Sequence, residues 1–437
     1  MVRGLLLKKA GEVRDSVHKY IEFTEVEWKI IDTPPVQRLR RIKQLAGANL
    51  TYTSGEHTRF PHSLGVMHLS GRMAEKLHLD GFLEKDDIQK VRIAGLLHDL
   101  GHGPFSHMFE EVLTKYTDKT HEDLTRWIIK DTVVSDVIED FGFSSEEIAR
   151  LAVGKSNSNP LLNQIISGYF DADVMDYLTR DSINTGVEYG LFDLERLIDS
   201  LTVVDNRLAM DSAALYTLES FYFARYMMFK AVYFHRTVRS AGVMIAKAMD
   251  LSNCILGFTS FSEPKDFIKL DDYYVVYTIL SSESKSTEID MARELVNGFQ
   301  NRRLLKAAFQ VLLHHENPIY SSLLNRPSFR GELEEEIARI AGLDRNMVFM
   351  DVSTVPSLPY HPSSQGGLRG PEIPVLVKDE GSVRIESLFE LSALARSLKG
   401  FVDVARIYTT AENKERVAAA ARKVFGGQQP PSLRISL

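Results

Sequence analysis

The densest apolar periodicity in the chain runs through Val91–His107. Ile88, Val91, Ile93, Ala94, Leu96 and Leu97 fit a buried helix, because the run is too long and too rich in Leu and Ala for a short strand. It ends in His98-Asp99, followed by Gly101 and Gly103, which are expected to let the backbone turn there. Adjacent helical residues point about 100° apart, so these two side chains can share one ion only at a helix terminus.

The rest of the pattern is mostly helical. Residues 1–30 read as an irregular or β-ribbon lead-in, with loose period-two alternation through HKYIEFTEVEWKII. A helix opening at Pro34-Pro35, capped by Asp32 or Thr33, is predicted to run through Gln44 and to end near Gly47. Its Arg38, Arg40, Arg41 and Lys43 are either a solvated face or an anion site. A loop carrying His57 and Arg59 leads into a helix starting near Pro61, with His62 in its first turn and His68 and His78 further along. Helices continue from His121 to Arg150, broken near Gly142 and restarted at Ser144, and then across 161–189 and 216–249.

Beyond about residue 255 the texture changes. Helical pattern persists from Phe267 through Leu313, after which β-branched runs at 344–360, 371–388 and 401–410 interleave with helical stretches. HPSSQGGLRGPE reads as an exposed loop. The fold class is therefore mainly α with a smaller C-terminal α/β part. The expected divisions are 1–255 as the main helical domain with its lead-in, 256–340 as a helical extension and 341–437 as an α/β subdomain.

Composition narrows the chemistry. The chain has 44% hydrophobic and 25% charged residues, as a soluble globular protein does, and no run of eighteen apolar residues that would suggest a membrane span. Cys254 is the only cysteine, which excludes an intramolecular disulfide, points to a reducing, cytoplasmic location and leaves nitrogen and oxygen donors for any metal. A net charge of −7 argues against a general nucleic-acid coat. Eight of the thirteen histidines fall between His57 and His121, a concentration that packing alone does not explain. His62, the His98-Asp99 pair and an aspartate from DADVMDYLTRD would suit a divalent ion such as Fe, Mn, Ni, Zn or Mg with positions left for water. Such an ion acidifies bound water and polarises phosphoryl oxygens, and GHGPFSH adds imidazoles and backbone amides beside it, so the chemistry expected is phosphoester or phosphoanhydride hydrolysis.

The order of these motifs resembles the HD-domain metal-dependent phosphohydrolase superfamily. IIDTPPVQRLRRIKQL, HTRFPHSLGVMHL, IAGLLHDLGHGPFSHMFE and DVMDYLTRD are most similar to the deoxynucleoside triphosphate triphosphohydrolases of sterile-alpha-motif/HD type, over residues 10–250 and without a sterile-alpha-motif domain. The resemblance implies an HD helical bundle with His62, His98, Asp99 and Asp173 as metal ligands, Asp171 and Asp176 being the local competitors. It implies His102 at the α-phosphate and His121 as the acid/base residue, with Glu110 standing where the family has an orienting aspartate. Arg59, His107, Tyr177 and Arg225 match positions that hold the triphosphate. Gln44 and Asp181 match those at the sugar 3′-hydroxyl, Leu45 packs on the nucleoside, Tyr233 lies at the sugar edge, and His235-Arg236 stand for a His-Lys pair. Val174 and Phe229 depart from a lysine and a histidine. Asp32, Gln37 and Arg40 match an allosteric guanine-nucleotide site between subunits, or else are a helix cap and a surface pair.

The partners implied are a nucleoside triphosphate substrate, a guanine nucleotide activator and further copies of the chain in a dimer or tetramer. Two other readings stay open, an HD phosphodiesterase or phosphatase acting on another nucleotide and a nucleotide sensor with a retired site.

Overall fold

A computed structural model describes residues 6–315, 326–356, 373–379, 382–398 and 401–425. The lead-in is a hairpin of β1 (Gly11–Asp15) and β2 (Lys19–Phe23), as the alternation predicts, but its strand pattern stops at Phe23. Residues that continue the alternation instead form α1 (Glu25–Ile31), because Thr24 and Glu27 make a reciprocal capping box that starts a helix there. α2 (Pro34–Arg38) is also shorter than predicted. It is capped at Thr33 and runs on only as a 3₁₀ turn over Leu39–Arg41, since Ile42 turns extended and Lys43 bridges Thr58.

The bundle follows in chain order. α3 (Arg59–Leu79) and α4 (Lys85–Leu97) lie side by side, then come α5 (His107–Thr117), α6 (His121–Lys130), α7 (Val133–Asp140) and α8 (Ser145–Ala152). The break at Gly142 (φ +81°) and the Ser144 restart fall where the sequence puts them. α9 (Pro160–Ile166), α10 (Ala172–Thr185) and α11 (Leu194–Asp199) lead to a hairpin that the helical pattern did not reveal, β3 (Leu201–Val204) with β4 (Arg207–Asp211). α12 (Leu215–Met228) and α13 (Arg236–Leu256) are joined through a π-helical turn at Phe229–Tyr233, so the long aromatic helix is interrupted. α14 (Pro264–Ile268), α15 (Asp272–Ser281) and α16 (Thr287–Gln300) complete the helices of this part.

Helix does not persist to Leu313. Lys306–His315 is a strand, β5, which pairs antiparallel with β9 (Phe401–Thr409), and β9 pairs on its other side with β6 (Phe349–Pro356). Helices Pro327–Ala341 and Lys414–Val424 pack on this sheet through Ile337, Val352, Ile407 and Val417. A second sheet has the order β3-β4-β7-β8, where β7 is Pro374–Asp379 and β8 is Ser382–Ser387; β4 and β7 run parallel and tie the C-terminal part to the hairpin after α11. The fold is mainly helical with small sheets, as expected. The predicted loop at 361–372 lies outside the described residues. No described helix is long and apolar enough to cross a membrane.

One large apolar core joins α3, α4, α8 and α9 through residues such as Val66, Leu69, Ile93, Leu96, Ile148 and Leu162. An ion pair is sunk beside it. Glu27 on α1 accepts from Arg92 Nε at 2.7 Å and Nη2 at 2.8 Å and from Gln89 Nε2 at 2.7 Å, with both charged side chains at most 2% exposed. Removing one partner of such a pair strands a buried charge. Glu27→Ala should therefore lower the unfolding free energy by about 3–5 kcal/mol, read by urea denaturation; a loss below about 1 kcal/mol, the range of exposed pairs, would contradict it.

Candidate active site

Three helices bring the predicted ligands together. α3 opens at Arg59 and carries His62 one turn in, α4 ends so that His98 caps it and Asp99 follows, and α10 presents Asp173 in its first turn. His62 Nε2 lies 3.1 Å from Asp173 Oδ1 and 3.7 Å from Asp99 Oδ2, while His98 Nε2 lies 3.2 Å from Asp99 Oδ1 and 3.8 Å from Asp173 Oδ1. One donor atom each from His62, His98 and Asp99 falls within 4.8 Å of the others. Donors that share an ion at about 2.0–2.2 Å sit roughly 3–3.5 Å apart, so the set is the right size for one.

The hydrogen bonds decide what these atoms are. His98 Nδ1 donates to the Gly95 carbonyl at 2.8 Å, so in the neutral ring Nε2 carries the lone pair; burial disfavours a charge there, but Asp99 and Asp173 raise the pKa of His98 and draw a proton to Nε2. Nε2 is buried without a hydrogen bond, facing the Asp99 carboxylate. A proton on Nε2 or a cation between the two atoms satisfies this contact, and a metal ion competes with the proton for the same lone pair. His62 Nδ1 likewise donates to Asp176 Oδ2 at 2.8 Å, which directs its Nε2 into the site. Burial disfavours a charge on His62, yet Asp173, Asp176 and Asp99 outweigh it and raise its pKa to about 10. The pocket is a well of negative potential that attracts a positive charge.

The competing aspartates have other work. Asp176 sits behind His62, also bound by Arg180 at 2.8 and 3.0 Å and by His18 Nε2 at 2.6 Å, and Asp15 holds the far side of Arg180 at 2.8 Å. Gly65 makes room for this cluster, since a Cβ there would fall 1.9 Å from Asp176 Oδ1. Asp171 caps α10, accepting from the Val174 and Gly168 amides at 2.8 and 2.9 Å.

The GHGPFSH turn differs from the prediction in its backbone. Neither Gly101 nor Gly103 has positive φ; Phe105 (+55°) and Ser106 (+58°) do. The two glycines serve close approach instead, because a Cβ at Gly101 would lie 1.9 Å from the His121 carbonyl and one at Gly103 would lie 2.1 Å from the Phe109 ring. The strained Ser106 accepts from Arg59 Nε at 2.8 Å and donates to the Lys43 carbonyl at 2.9 Å, which aims Arg59 Nη1 at Asp99 Oδ2, 2.6 Å away.

A cavity of about 660 Å³ opens beside these donors. On one side His102 stacks on His121 at 4.3 Å, and His121 Nδ1 lies 2.5 Å from Glu110 Oε1. Burial and the nearby Arg59 and His121 hold His102 well below the usual imidazole value, so its ring is neutral. Burial opposes charge on Glu110, but His107 and His121 prevail and keep it an anion. His107 stands at the rim, with Nδ1 3.5 Å from Glu110. On the other side Asp181 is clamped by His57 Nε2 at 2.7 Å and by the Tyr233 hydroxyl at 2.7 Å. Gln44, Leu45, Tyr177 and Phe229 complete this wall.

Two predicted substrate residues lie off the lining. Arg225 stands behind Tyr177 and 5.1 Å over the Phe229 ring, and His235 caps α13 by accepting from the Thr237 amide at 3.3 Å. Asp32, Gln37 and Arg40 lie outside the cavity wall. Trp28 donates to Asp32 at 2.9 Å, Arg40 donates to Gln37 Oε1 at 2.9 Å, and the Arg40 guanidinium covers the Phe60 ring at 3.5 Å. His57, Ser106 and Asp15, together with Val352, Ser353 and the Arg239–Asp351 pair (2.5 Å) that bring the C-terminal sheet to the cavity, are not predicted by the sequence pattern. Only His57 carried a signal, its place in the histidine-rich stretch.

The family model for the HD domain matches residues 59–181, and that for the HD associated region matches 192–433. The first of these regions includes His62, His98, Asp99 and Asp173. The uncharacterized protein YwfO of Bacillus subtilis (strain 168) is 33% identical over 406 residues, 89% of each chain. The deoxynucleoside triphosphate triphosphohydrolase SAMHD1 homolog of Dictyostelium discoideum is 29% identical over 349 residues, 76% of this chain and 65% of that one. A crystal structure of a hypothetical protein from Aquifex aeolicus superposes with a TM-score of 0.73 at 30% identity, covering 94% of this chain and 99% of that one.

The bond from Asp176 to His62 fixes a ligand from behind, and such outer partners are worth about 10–100-fold in metal affinity. Asp176→Asn should weaken metal binding by that factor, measured by competition with a chromophoric chelator. Unchanged affinity in a folded variant would show that the network does not serve the metal.

Proposed function

We propose, from the premise that this chain belongs to the HD-domain family, that its metal-dependent phosphohydrolase chemistry is directed at deoxynucleoside triphosphates, releasing a deoxynucleoside and intact triphosphate. The name of the Dictyostelium relative suggests the substrate. The observation that carries the reading is the cavity itself, with a cation-hungry donor set between an acid/base imidazole pair and a doubly clamped carboxylate.

His62, His98, Asp99 and Asp173 would hold the divalent ion, which supplies Lewis-acid polarisation of a phosphoryl oxygen and an acidified water. Arg59, fixed by Ser106 and paired with Asp99, would add a positive charge at the phosphate side of the site. Neutral His102 can donate a hydrogen bond to phosphate without adding a full charge. Glu110 holds the Nδ1 proton of His121, which leaves Nε2 to exchange a proton with the attacking or leaving oxygen. Asp181 has both oxygens already bonded and still has lone pairs to accept from a sugar hydroxyl, with Gln44 nearby as a second partner. The Tyr233 ring beside it narrows the space at the sugar edge and so favours deoxyribose.

A second reading has one observation in its favour. Phe229 puts an uncharged ring in the cavity wall, which suits a nucleotide with fewer phosphates. Assembly into a homo-oligomer and a guanine-nucleotide response through Asp32, Gln37 and Arg40 belong to the same proposal.

Product chromatography separates these readings. With Mn or Fe and a panel of nucleotides, the protein should release intact triphosphate from deoxynucleoside triphosphates; orthophosphate or a nucleoside monophosphate as product supports the second reading and overturns the first. His121→Ala should lower kcat by about 10²–10⁴-fold with metal content unchanged, and full activity in that variant removes His121 from the mechanism.

A further inference from the structure

We propose that strand β8 is a homotypic docking edge, which pairs antiparallel with β8 of a second copy of this chain about a two-fold axis at Ile385. β8 closes one side of its four-stranded sheet, bonded to β7 and, among the described residues, to no other strand. An edge strand presents a row of backbone donors and acceptors that chains usually guard with proline, a bulge, short length or charged side chains, and in β8 only the charges remain, two of opposite sign that a second copy can match. Ser382–Ser387 has no proline and pairs with β7 without a bulge, and its two charges, Arg384 and Glu386, are opposite. Val383 is 68% and Ile385 48% exposed, high values for β-branched apolar side chains in a strand.

The register with β7 sorts the faces. Arg384 and Glu386 lie opposite the buried Val377 and Val375, whereas Ile385 and Val383 share the other face with Leu376 and Lys378. If two copies of the strand are to continue one sheet, their faces must match, so the two-fold axis has to pass through a residue paired with itself. Centring on Arg384 or on Glu386 sets like charges directly opposite, which is destabilising. Centring on Val383 or Ser387 shortens the overlap and leaves the charges unmatched. Centring on Ile385 places each Arg384 opposite Glu386 of the second copy and Ile385 against Ile385.

Within one copy Arg384 Nε already lies 2.6 Å from Glu386 Oε1, so the two pairs would close into an alternating ring of four charges. Exposed charges of this kind set register and partner choice, while the backbone ladder and the paired isoleucines supply the attraction. A foreign extended peptide would have to bring that charge order with it. A second copy already has it.

The test uses the full chain with its single cysteine replaced, Cys254→Ser, and one new cysteine at a time. Directly opposed residues have Cα atoms about 4.5–5.5 Å apart, inside the disulfide range of about 4.4–6.8 Å. Ile385→Cys should form a covalent dimer on mild oxidation. Val383→Cys, four residues or about 13 Å from its counterpart at about 3.3 Å per residue, should stay uncrosslinked. Absence of the Ile385→Cys dimer, or equal crosslinking at both positions, overturns the proposal. Sedimentation velocity gives an independent check. Arg384→Glu and Glu386→Arg should each weaken this pairing about tenfold, and the double exchange should restore it; a double variant no better than the singles overturns the charge-matched register.

Discussion

His98 Nε2 and Asp99 Oδ1 face each other 3.2 Å apart and buried, a contact that needs a positive charge, a proton or a cation, to satisfy it. It persists because α4 is fixed by its apolar face and the Gly95 carbonyl fixes the tautomer of His98. The large core built on α3, α4, α8 and α9 holds the two side chains in place. A divalent cation placed between those atoms would take the proton's place and be held by both. The surrounding layers follow from the same requirement, with Asp176 and Arg180 behind His62 and Ser106 and Arg59 behind Asp99.

The apolar period that ends in His98-Asp99 was readable because helix length, composition and terminus all agree there. The start of α3 and the restart at Ser144 were readable for the same reason, each having a cap or a proline in place. The errors come where local and longer-range signals diverge. Period-two alternation continues through Glu25–Ile31, but the Thr24–Glu27 capping box decides for helix. Charged residues after Arg38 look helical, yet Ile42 is drawn extended by the Lys43–Thr58 bridge, a contact with residues far along the chain. β5 is fixed by β9, about ninety residues later, and no local pattern contains that pairing.

For the site, residue type and order pointed to His62, His98, Asp99 and one aspartate of DADVMDYLTRD, which the structure brings near one another, but did not by themselves separate Asp173 from Asp171 and Asp176. That depends on which oxygen meets which amide or guanidinium. The same holds for His57 and Ser106, which matter through Asp181 and Arg59 rather than by themselves. The glycines of the GHGPFSH turn show the limit from another side. Their presence signals a special backbone, but here it is lack of space and not positive φ that requires them.

The contribution of the C-terminal part is geometric. Val352 and Ser353 of β6 line the cavity, held against the bundle by the pair of Asp351 with Arg239 of α13, and the two sheets connect segments far apart in sequence. The central claim is that the donor set is arranged for one cation. Anomalous diffraction from crystals grown with manganese tests it most directly. A single peak within bonding distance of His62 Nε2, His98 Nε2 and the Asp99 and Asp173 carboxylates is the predicted result. A map with no peak there, and with His98 reoriented to hydrogen-bond Asp99, would contradict it.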